Sequence, residues 1–150
     1  MPIEIRRLSP DDWHAFRALR LAALAGAPDA FGTTVAEVTT WTEARWRARL
    51  SDVAQWIAWI DGAPAGTVGF DGDELISMWV EPPARGRGVG DALVATVVAA
   101  AAGRRVRLWV TVGNEPAIRL YARHGFVATG EVQPVDARDP ARLELAMALG

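Results

Sequence analysis

A glycine-rich loop between a strand-like segment and a long apolar segment is the feature that most constrains the fold of this chain. Residues 74–80, ELISMWV, are typical of a strand, and residues 81–90, EPPARGRGVG, form the loop. Residues 89–102 are apolar around nearly the whole helical circumference, which predicts a helix buried on more than one side. A further strand, residues 104–112, then predicts a parallel crossover. The loop therefore connects a strand of a sheet to the N-terminus of a helix.

The other segments predict an antiparallel addition to this crossover. Tight-turn sequences, DGA and DGD, separate three strand-like runs within residues 55–80, so these runs form a meander. The remaining predicted elements are a strand at residues 3–8, a helix beginning at Ser9, helices at residues 42–50 and 114–124, and strands at residues 125–132 and 142–149. We therefore predict one α+β (mixed α/β) domain, residues 1–150, with a mixed, mostly antiparallel twisted sheet of about seven strands flanked by about four helices.

Composition excludes several classes of function. With 18 acidic and 16 basic residues and a net charge of -2, the chain has no global positive field for nucleic acid or an anionic membrane. It has no cysteine, which excludes disulfides, thiolate metal sites and a thiol nucleophile. His14 and His124 lack metal-ligand spacing, so we predict no metal site. The N-terminus has no apolar leader segment, and we expect a cytoplasmic protein.

The glycine-rich loop has the composition of a phosphate-binding loop. A helix N-terminus presents free amides and a partial positive charge, and glycines let a phosphate approach the backbone. A P-loop is excluded because the chain has no lysine after the glycines. A dinucleotide fingerprint fits poorly, since Gly86, Gly88 and Gly90 form G-x-G-x-G. A flexible surface loop or an RGG-like RNA contact are the remaining alternatives.

Two sequence blocks together carry a family resemblance. Arg85, Gly88 and Gly90 form an R-x-x-G-x-G pattern, and residues 114–126, NEPAIRLYARHGF, follow with an Asn at a helix start, a Leu-Tyr pair and a Gly-Phe pair. In this order and at this separation, the blocks resemble those of the GNAT superfamily of acyl-coenzyme A-dependent N-acetyltransferases. The resemblance implies acetyl-coenzyme A as co-substrate, no metal, and a loop that holds its pyrophosphate.

The resemblance also implies which residues contact coenzyme A. In the family, the strand before the loop is splayed from its neighbour by a bulge, and its backbone pairs with the pantetheine arm. Asn114 has a family counterpart that often hydrogen-bonds the same arm. The implied cofactor-binding residues are Met78, Trp79, Val80, Arg85, Gly86, Arg87, Gly88, Val89, Gly90 and Asn114.

Catalysis is assigned to two side chains. Without cysteine, an acyl-thiol enzyme is excluded, which favours direct transfer in a ternary complex. Tyr121, the sole tyrosine, lies where the family has its general acid, and a phenol can donate a proton to a departing thiolate. Glu74, at the start of the bulged strand, is the predicted base for the amine, acting directly or through water.

The acceptor is predicted only by class: a primary amine of a small molecule or peptide. The resemblance places its pocket between the N-terminal helices and the loop before the last strand, residues 131–142. Phe31, Glu37 and Trp41 are the predicted substrate-binding residues, with Trp46 as a further aromatic wall. Acidic residues in these regions, which agree with a cationic amine, are Glu37, Glu131, Asp136 and Asp139.

Two further functions and an assembly stay open at this point. A coenzyme A-binding sensor or partner module without catalysis would keep the loop, but the retained Tyr121 favours an enzyme. An RNA-binding protein using the RGRG sequence is disfavoured by the net charge of -2. Oligomers are common in the family, and the apolar stretch LELAMAL, residues 143–149, is the candidate edge strand for a homodimer.

Overall fold

A mixed, mostly antiparallel sheet forms the centre of the computed structural model, which describes residues 2–28, 31 and 33–150. Within these residues, seven strands pair in the order β1-β2-β3-β4-β5-β7-β6. The strands are β1 (Ile3–Arg7), β2 (Ala54–Ile60), β3 (Ala63–Asp71), β4 (Glu74–Val80), β5 (Val106–Thr111), β6 (Val127–Asp136) and β7 (Asp139–Leu149). Among the described strand pairs, only β4 and β5 run parallel. The predicted meander, crossover and mixed sheet are confirmed.

Five α-helices flank the sheet in the described part of the chain, one more than the sequence predicted. They are α1 (Trp13–Gly26), α2 (Val35–Val38), α3 (Glu43–Asp52), α4 (Val89–Ala101) and α5 (Glu115–Arg123). A single 3-10 turn, Pro10–Asp12, precedes α1. The additional helix, α2, is one turn long and begins with Thr34, whose hydroxyl accepts a hydrogen bond from the Glu37 amide at 3.2 Å. One turn is too short to produce a helical period in the sequence.

Helices cover both faces of the sheet. Buried residues of α4 and α5, such as Val89, Leu93 and Tyr121, pack in one hydrophobic cluster with β2, β3 and β5. Phe16 of α1 and Trp46 of α3 belong to a second cluster on the opposite face. Following the expectation from the resemblance, we call the first face, with α4 and α5, the donor face, and the second, with α1 to α3, the acceptor face.

The prediction that α4 is buried on more than one side is wrong. Its buried residues form one stripe, Val89, Leu93, Val94, Val97 and Ala101, and its outward side exposes Ala95, Ala99 and Ala100. Alanine is apolar yet small and has the highest helix propensity, so it is common on exposed helix surfaces. An apolar composition therefore did not mean burial here. None of the described helices combines the length and apolarity that crossing a bilayer requires.

The last two strands correct two predictions. Residues 131–142 are not a loop, because β6 and β7 continue through them and pair as far as Asp136 and Asp139. The turn is fixed by the Asp136 carboxylate, which accepts a hydrogen bond from the Arg138 amide at 2.9 Å. The stretch at residues 143–149 is not an edge either, since β7 lies between β5 and β6. A dimer cannot form by strand addition to β7; the sheet edges are β1 and β6.

Candidate active site

The parallel strands β4 and β5 diverge and open a cleft through the sheet. They are in register only at Glu74 and Arg107, near the start of both strands. A cavity of about 590 Å³ occupies the space between them. Its lining includes Tyr121 from the donor face and Phe16 and Trp46 from the acceptor face. The cleft therefore joins the two faces, so two molecules can approach one point from opposite sides.

A bulge in β4 widens this cleft. β4 pairs regularly with β3 from the Asp71–Glu74 pair to the Gly69–Ile76 pair. The pairing is then interrupted and resumes at the Thr67–Trp79 pair. Ser77 lies in the bulge with a φ of +55°, a left-handed conformation that is unusual for a residue other than glycine. The backbone of residues 77 and 78 therefore lacks a ladder partner in β3 or β5 and lines the cleft.

The side chain of Trp79 points away from this backbone surface. Trp79 is 7% exposed and packs in the acceptor-face cluster. A Cβ atom at Gly26 of α1 would lie 2.9 Å from its ring, so the glycine makes room for the indole. Arg85 covers the same ring, with its guanidinium carbon 5.0 Å from the ring centroid. Trp79 is thus a core side chain, and its position in β4 is paired with Thr67 of β3.

The glycine-rich loop is an open backbone surface at the N-terminus of α4. Gly86 and Gly88 have φ values of +78° and +83°, and a Cβ at either position would meet no atom within 4 Å. The amides of residues 86–91 donate no hydrogen bond to any described residue. The helix dipole places positive charge at the same point. Free amides, empty space and positive potential fit a phosphate group.

Two residues of the loop have packing roles instead. A Cβ on Gly90 would lie 3.2 Å from Leu120, so this glycine lets α4 approach α5. The Arg85 guanidinium donates a hydrogen bond from Nε to the Val80 carbonyl at 3.1 Å. Arg85 therefore fixes the loop to the end of β4, while Arg87 is exposed.

Tyr121 reaches the cleft from the buried side of α5. The residue is 5% exposed, and its ring packs edge-on against Phe126 with the centroids 5.9 Å apart. Its hydroxyl forms no hydrogen bond with a described residue, although Tyr121 lines the cleft. Burial raises the pKa of the phenol well above its usual range. The hydroxyl therefore stays protonated at physiological pH and is a free donor in the cleft.

Glu74 places a carboxylate at the point where β4 and β5 separate. Burial raises its pKa above the ordinary value, and this outweighs the opposing effect of Arg107, whose Nη2 lies 3.5 Å from Glu74 Oε1. The negative charge of Glu144 on β7 raises the pKa further. Glu144 also lines the cleft and accepts a hydrogen bond from Gln133 Nε2 at 2.8 Å. A carboxylate with a raised pKa is a better proton acceptor than an exposed one.

A sequence comparison decides the family. The sequence profile of the Acetyltransferase (GNAT) family matches residues 15–126. The chain belongs to the GNAT family. An uncharacterized N-acetyltransferase of Methanocaldococcus jannaschii is 31% identical, with coverage of 81% of this chain and 59% of that protein. The chain thus spans only about three fifths of that relative's length.

Solved structures show the same fold. A GNAT-family acetyltransferase from Streptococcus pneumoniae superposes with a TM-score of 0.80 at 21% identity, covering 99% of this chain and 98% of that one. The structure of yncA from Salmonella typhimurium with acetyl-CoA has a TM-score of 0.72 at 24% identity, covering 99% and 94%. The chain therefore has the GNAT fold over its whole described length.

Within this GNAT fold, Asn114 is placed at the entrance of the cleft. Its side-chain oxygen accepts a hydrogen bond from the Ala117 amide at 3.4 Å, which caps α5. Asn114 also lines the cleft. Its side-chain amide nitrogen donates to no described residue and is available to a ligand.

The aromatic residues predicted for the acceptor line the cleft, and Glu37 does not. Phe31, Trp41 and Trp46 all belong to the cavity wall. The Glu37 carboxylate instead accepts a hydrogen bond from Arg138 Nη2 at 2.9 Å, and Arg138 also pairs with Asp136 at 2.6 Å. Arg138 holds the pKa of Asp136 down at about 2. These two acidic residues therefore hold the β6–β7 turn against α2.

Three charged residues of the cleft escaped the sequence reasoning: Arg20, Arg49 and Glu144. The arginines did leave a signal. Arg20 follows Phe16 by one helical turn, and Arg49 follows Trp46 by three positions, so both lie on the apolar stripe of their helix. A charged residue within an apolar stripe is a candidate for function. Glu144 left no signal, because alternate polar residues are ordinary in a strand.

Proposed function

We propose that the chain is an N-acetyltransferase that moves an acetyl group from acetyl-coenzyme A directly to a primary amine of a small molecule or peptide. The observation that carries this proposal is the cleft itself. It brings bulged backbone of β4 together with a protonated phenol and a carboxylate of raised pKa, and the open glycine loop follows the same strand along the chain. These are the groups needed to hold a thioester, assist its leaving group and accept a proton from an amine.

Backbone groups would hold coenzyme A. The free amides of residues 86–91 fit its pyrophosphate, and the unpaired backbone at residues 77 and 78 fits the pantetheine arm, with the side-chain amide of Asn114 lining the same cleft. When bound, acetyl-coenzyme A supplies an activated acetyl group. Because these contacts are mostly main-chain, they depend on the bulge and the glycine conformations rather than on side-chain identity.

Glu74 would accept the proton of the incoming ammonium. Its carboxylate lies between β4 and β5, at one end of the cleft. Burial raises its pKa, which narrows the gap to the pKa of an amine and eases the transfer, directly or through water. Arg107, close to the same carboxylate, keeps the ionised form accessible at neutral pH.

Tyr121 would stabilise the departing thiolate by hydrogen-bond donation. A thiol ionises with a pKa of about 8.5, well below that of this buried phenol, so a thiolate cannot fully remove the Tyr121 proton. The raised pKa therefore favours hydrogen-bond donation to the sulfur over complete proton transfer. The second proton that the amine loses on forming the amide then neutralises the thiolate as it leaves. Such a bond helps only as charge develops on sulfur, which is the condition for lowering a barrier.

Thiol release provides the direct test of this function. The chain has no cysteine, so a thiol reagent reports only coenzyme A that is set free. We expect release that depends on added amine, and initial-rate lines that intersect when both substrates are varied, as in a ternary complex. Tight binding of acetyl-coenzyme A without release for any amine would instead identify a coenzyme A-binding module. Parallel lines would contradict direct transfer.

A further inference from the structure

Two arginines that form no ion pair with a carboxylate of the described residues face the cleft from the acceptor face. Arg20 of α1 and Arg49 of α3 both line the cavity. Arg20 stacks on the Phe31 ring, with its guanidinium carbon 4.8 Å from the ring centroid. Arg49 donates from Nη2 to Gln55 Oε1 at 2.9 Å, while its buried Nη1 has no hydrogen-bond partner. No carboxylate oxygen of the described residues lies within 4.0 Å of either guanidinium.

Arg49 is held in place by a chain of buried polar groups. Gln55, fully buried, accepts from Arg49 and donates from Nε2 to Thr67 Oγ1 at 2.6 Å. Thr67 in turn donates to the Trp56 carbonyl at 2.8 Å. A Cβ on Gly69 would lie 2.5 Å from Gln55 Oε1 and 3.3 Å from Arg49 Nη2, so a glycine is needed there. The fold thus fixes the guanidinium at the wall of the cleft.

The arrangement is electrostatically unfavourable as it stands. Burial, together with the nearby charge of Arg49, lowers the pKa of Arg20 to about 10. Burial also lowers the pKa of Arg49, opposed by the negative charge of Asp71. Two like charges removed from water are costly when no carboxylate of the described residues forms an ion pair with them, and an anion between them would offset that cost. A guanidinium fork matches a carboxylate in two parallel hydrogen bonds.

The same cleft carries the opposite charge on β4 and β7. Glu74 and Glu144 both line it, and each carboxylate favours a cationic group. A ligand with an amine at one end and a carboxylate at the other would match both. We infer that the acceptor is an amino-acid-like molecule whose carboxylate binds Arg20 and Arg49 while its amine lies toward Glu74. This inference rests on the proposed acetyl transfer and names the substrate class.

A matched set of acceptors tests the inference. Each apolar L-amino acid is compared with its carboxamide and with the amine that lacks the carboxyl group, for example leucine, leucinamide and isoamylamine. In the wild type we expect kcat/KM for the acid to exceed that for the amide by about 10-fold to 100-fold, the usual worth of hydrogen bonds to a charged group. Arg20→Gln and Arg49→Gln should remove most of this preference. The preference is a ratio, so a loss of stability common to both substrates cancels.

Control variants separate charge from structure. Arg17→Gln removes an arginine of α1 that does not line the described cleft, and should leave the preference unchanged. Arg49→Lys keeps the charge but loses the fork, so an intermediate preference is expected. Calorimetry with N-acetyl-leucine and N-acetyl-leucinamide, with coenzyme A present, measures carboxylate binding without turnover. Only the acid should bind more weakly to the two glutamine variants.

The outcomes distinguish the inference from the proposed function. Equal acetylation of acid, amide and amine, unchanged in Arg49→Gln, would overturn the arginine site and leave acetyl transfer standing. Arginine-dependent binding of N-acetyl-leucine without turnover of any amine would support the site and overturn the transferase. Arginine-independent binding of both ligands would overturn the site irrespective of activity.

Discussion

The donor and acceptor faces of the sheet are prepared for their ligands in different ways. On the donor face, the glycine-rich loop offers main-chain groups together with the nearby β4 bulge, and the Arg85 side chain of the loop hydrogen-bonds the Val80 carbonyl. On the acceptor face, the cleft presents side chains: aromatic rings, two arginines and the carboxylates Glu74 and Glu144. Backbone contacts need only a conformation, whereas side-chain contacts need particular residues. Ligand binding on the donor face therefore depends on backbone conformation, whereas ligand binding on the acceptor face depends on the identity of its side chains.

The largest effect is expected from filling the loop on the donor face. Gly88→Trp puts an indole in open space beside the free amides and forces a non-glycine residue to a φ of +83°. Loss of two charge-assisted hydrogen bonds predicts coenzyme A binding weaker by about 100-fold or more, measured by calorimetry.

Gly103 provides a matched control for that change. It follows the other end of α4, has a φ of +86° and is equally open. Gly103→Trp introduces the same strain away from the loop and should leave coenzyme A affinity unchanged. Equal weakening in both variants would show that strain, rather than the loop surface, causes the loss.

The next largest effect should come from a single hydroxyl at the boundary of the two faces. Tyr121→Phe keeps the packing against Phe126 and removes a group that has no hydrogen bond in the described residues. We expect kcat to fall by about 100-fold, within the range for removing one hydrogen-bond donor to a developing negative charge, with both KM values nearly unchanged. The thermal midpoint should hardly move. A kcat within twofold of the wild type would remove Tyr121 from the mechanism.

Glu74→Gln tests the carboxylate on the acceptor face and should lower kcat/KM by about 10-fold or more at pH 7. Because burial raises the pKa of Glu74, the wild-type rate should fall with decreasing pH at a midpoint above that of an ordinary glutamate, 4.5. The Glu74→Gln variant should lose this fall in rate at low pH, the acidic limb of the pH–rate profile. The folded state binds the proton of Glu74 more tightly than the unfolded state does, so ionisation of Glu74 destabilises the fold as pH rises. The Glu74→Gln variant should therefore have a thermal midpoint at pH 7 no lower than that of the wild type.

Glu115→Gln is the control for this change. Glu115 is an exposed carboxylate in the first turn of α5. The Glu115→Gln variant should retain the wild-type dependence of rate on pH. An unchanged acidic limb in Glu74→Gln would assign that limb to another group, with Glu144 as the next carboxylate to replace.

The smallest effect is expected at Glu37, which lies near the acceptor face but outside the cleft lining. Its carboxylate pairs with Arg138 on the surface, where water screens the attraction between the two charges. Glu37→Gln should therefore shift the thermal midpoint slightly and change kcat/KM by less than about twofold. A large rise in the KM of the acceptor would place Glu37 in the binding site after all.

The sequence predicted the donor face better than the acceptor face, because the donor face is built from contiguous segments and the acceptor face from distant ones. The loop, the helix after it and the Asn114 cap are contiguous in sequence, and local rules of glycine conformation and helix capping identify them. Arg20, Arg49 and Glu144 come from three elements far apart along the chain. The predicted edge at residues 143–149 also depended on strand order, which a local apolar pattern does not contain.

By itself, the sequence determined the succession of strands and helices, the open backbone at Gly86 and Gly88, and the absence of a cysteine nucleophile from the chain. These depend on local conformational preference and composition. The tertiary structure alone decided that β4 and β5 diverge, that β7 is inserted between β5 and β6, and that two arginines and two carboxylates meet in one cleft. Such placements follow from the summed packing of distant elements, and no short segment of the chain encodes them.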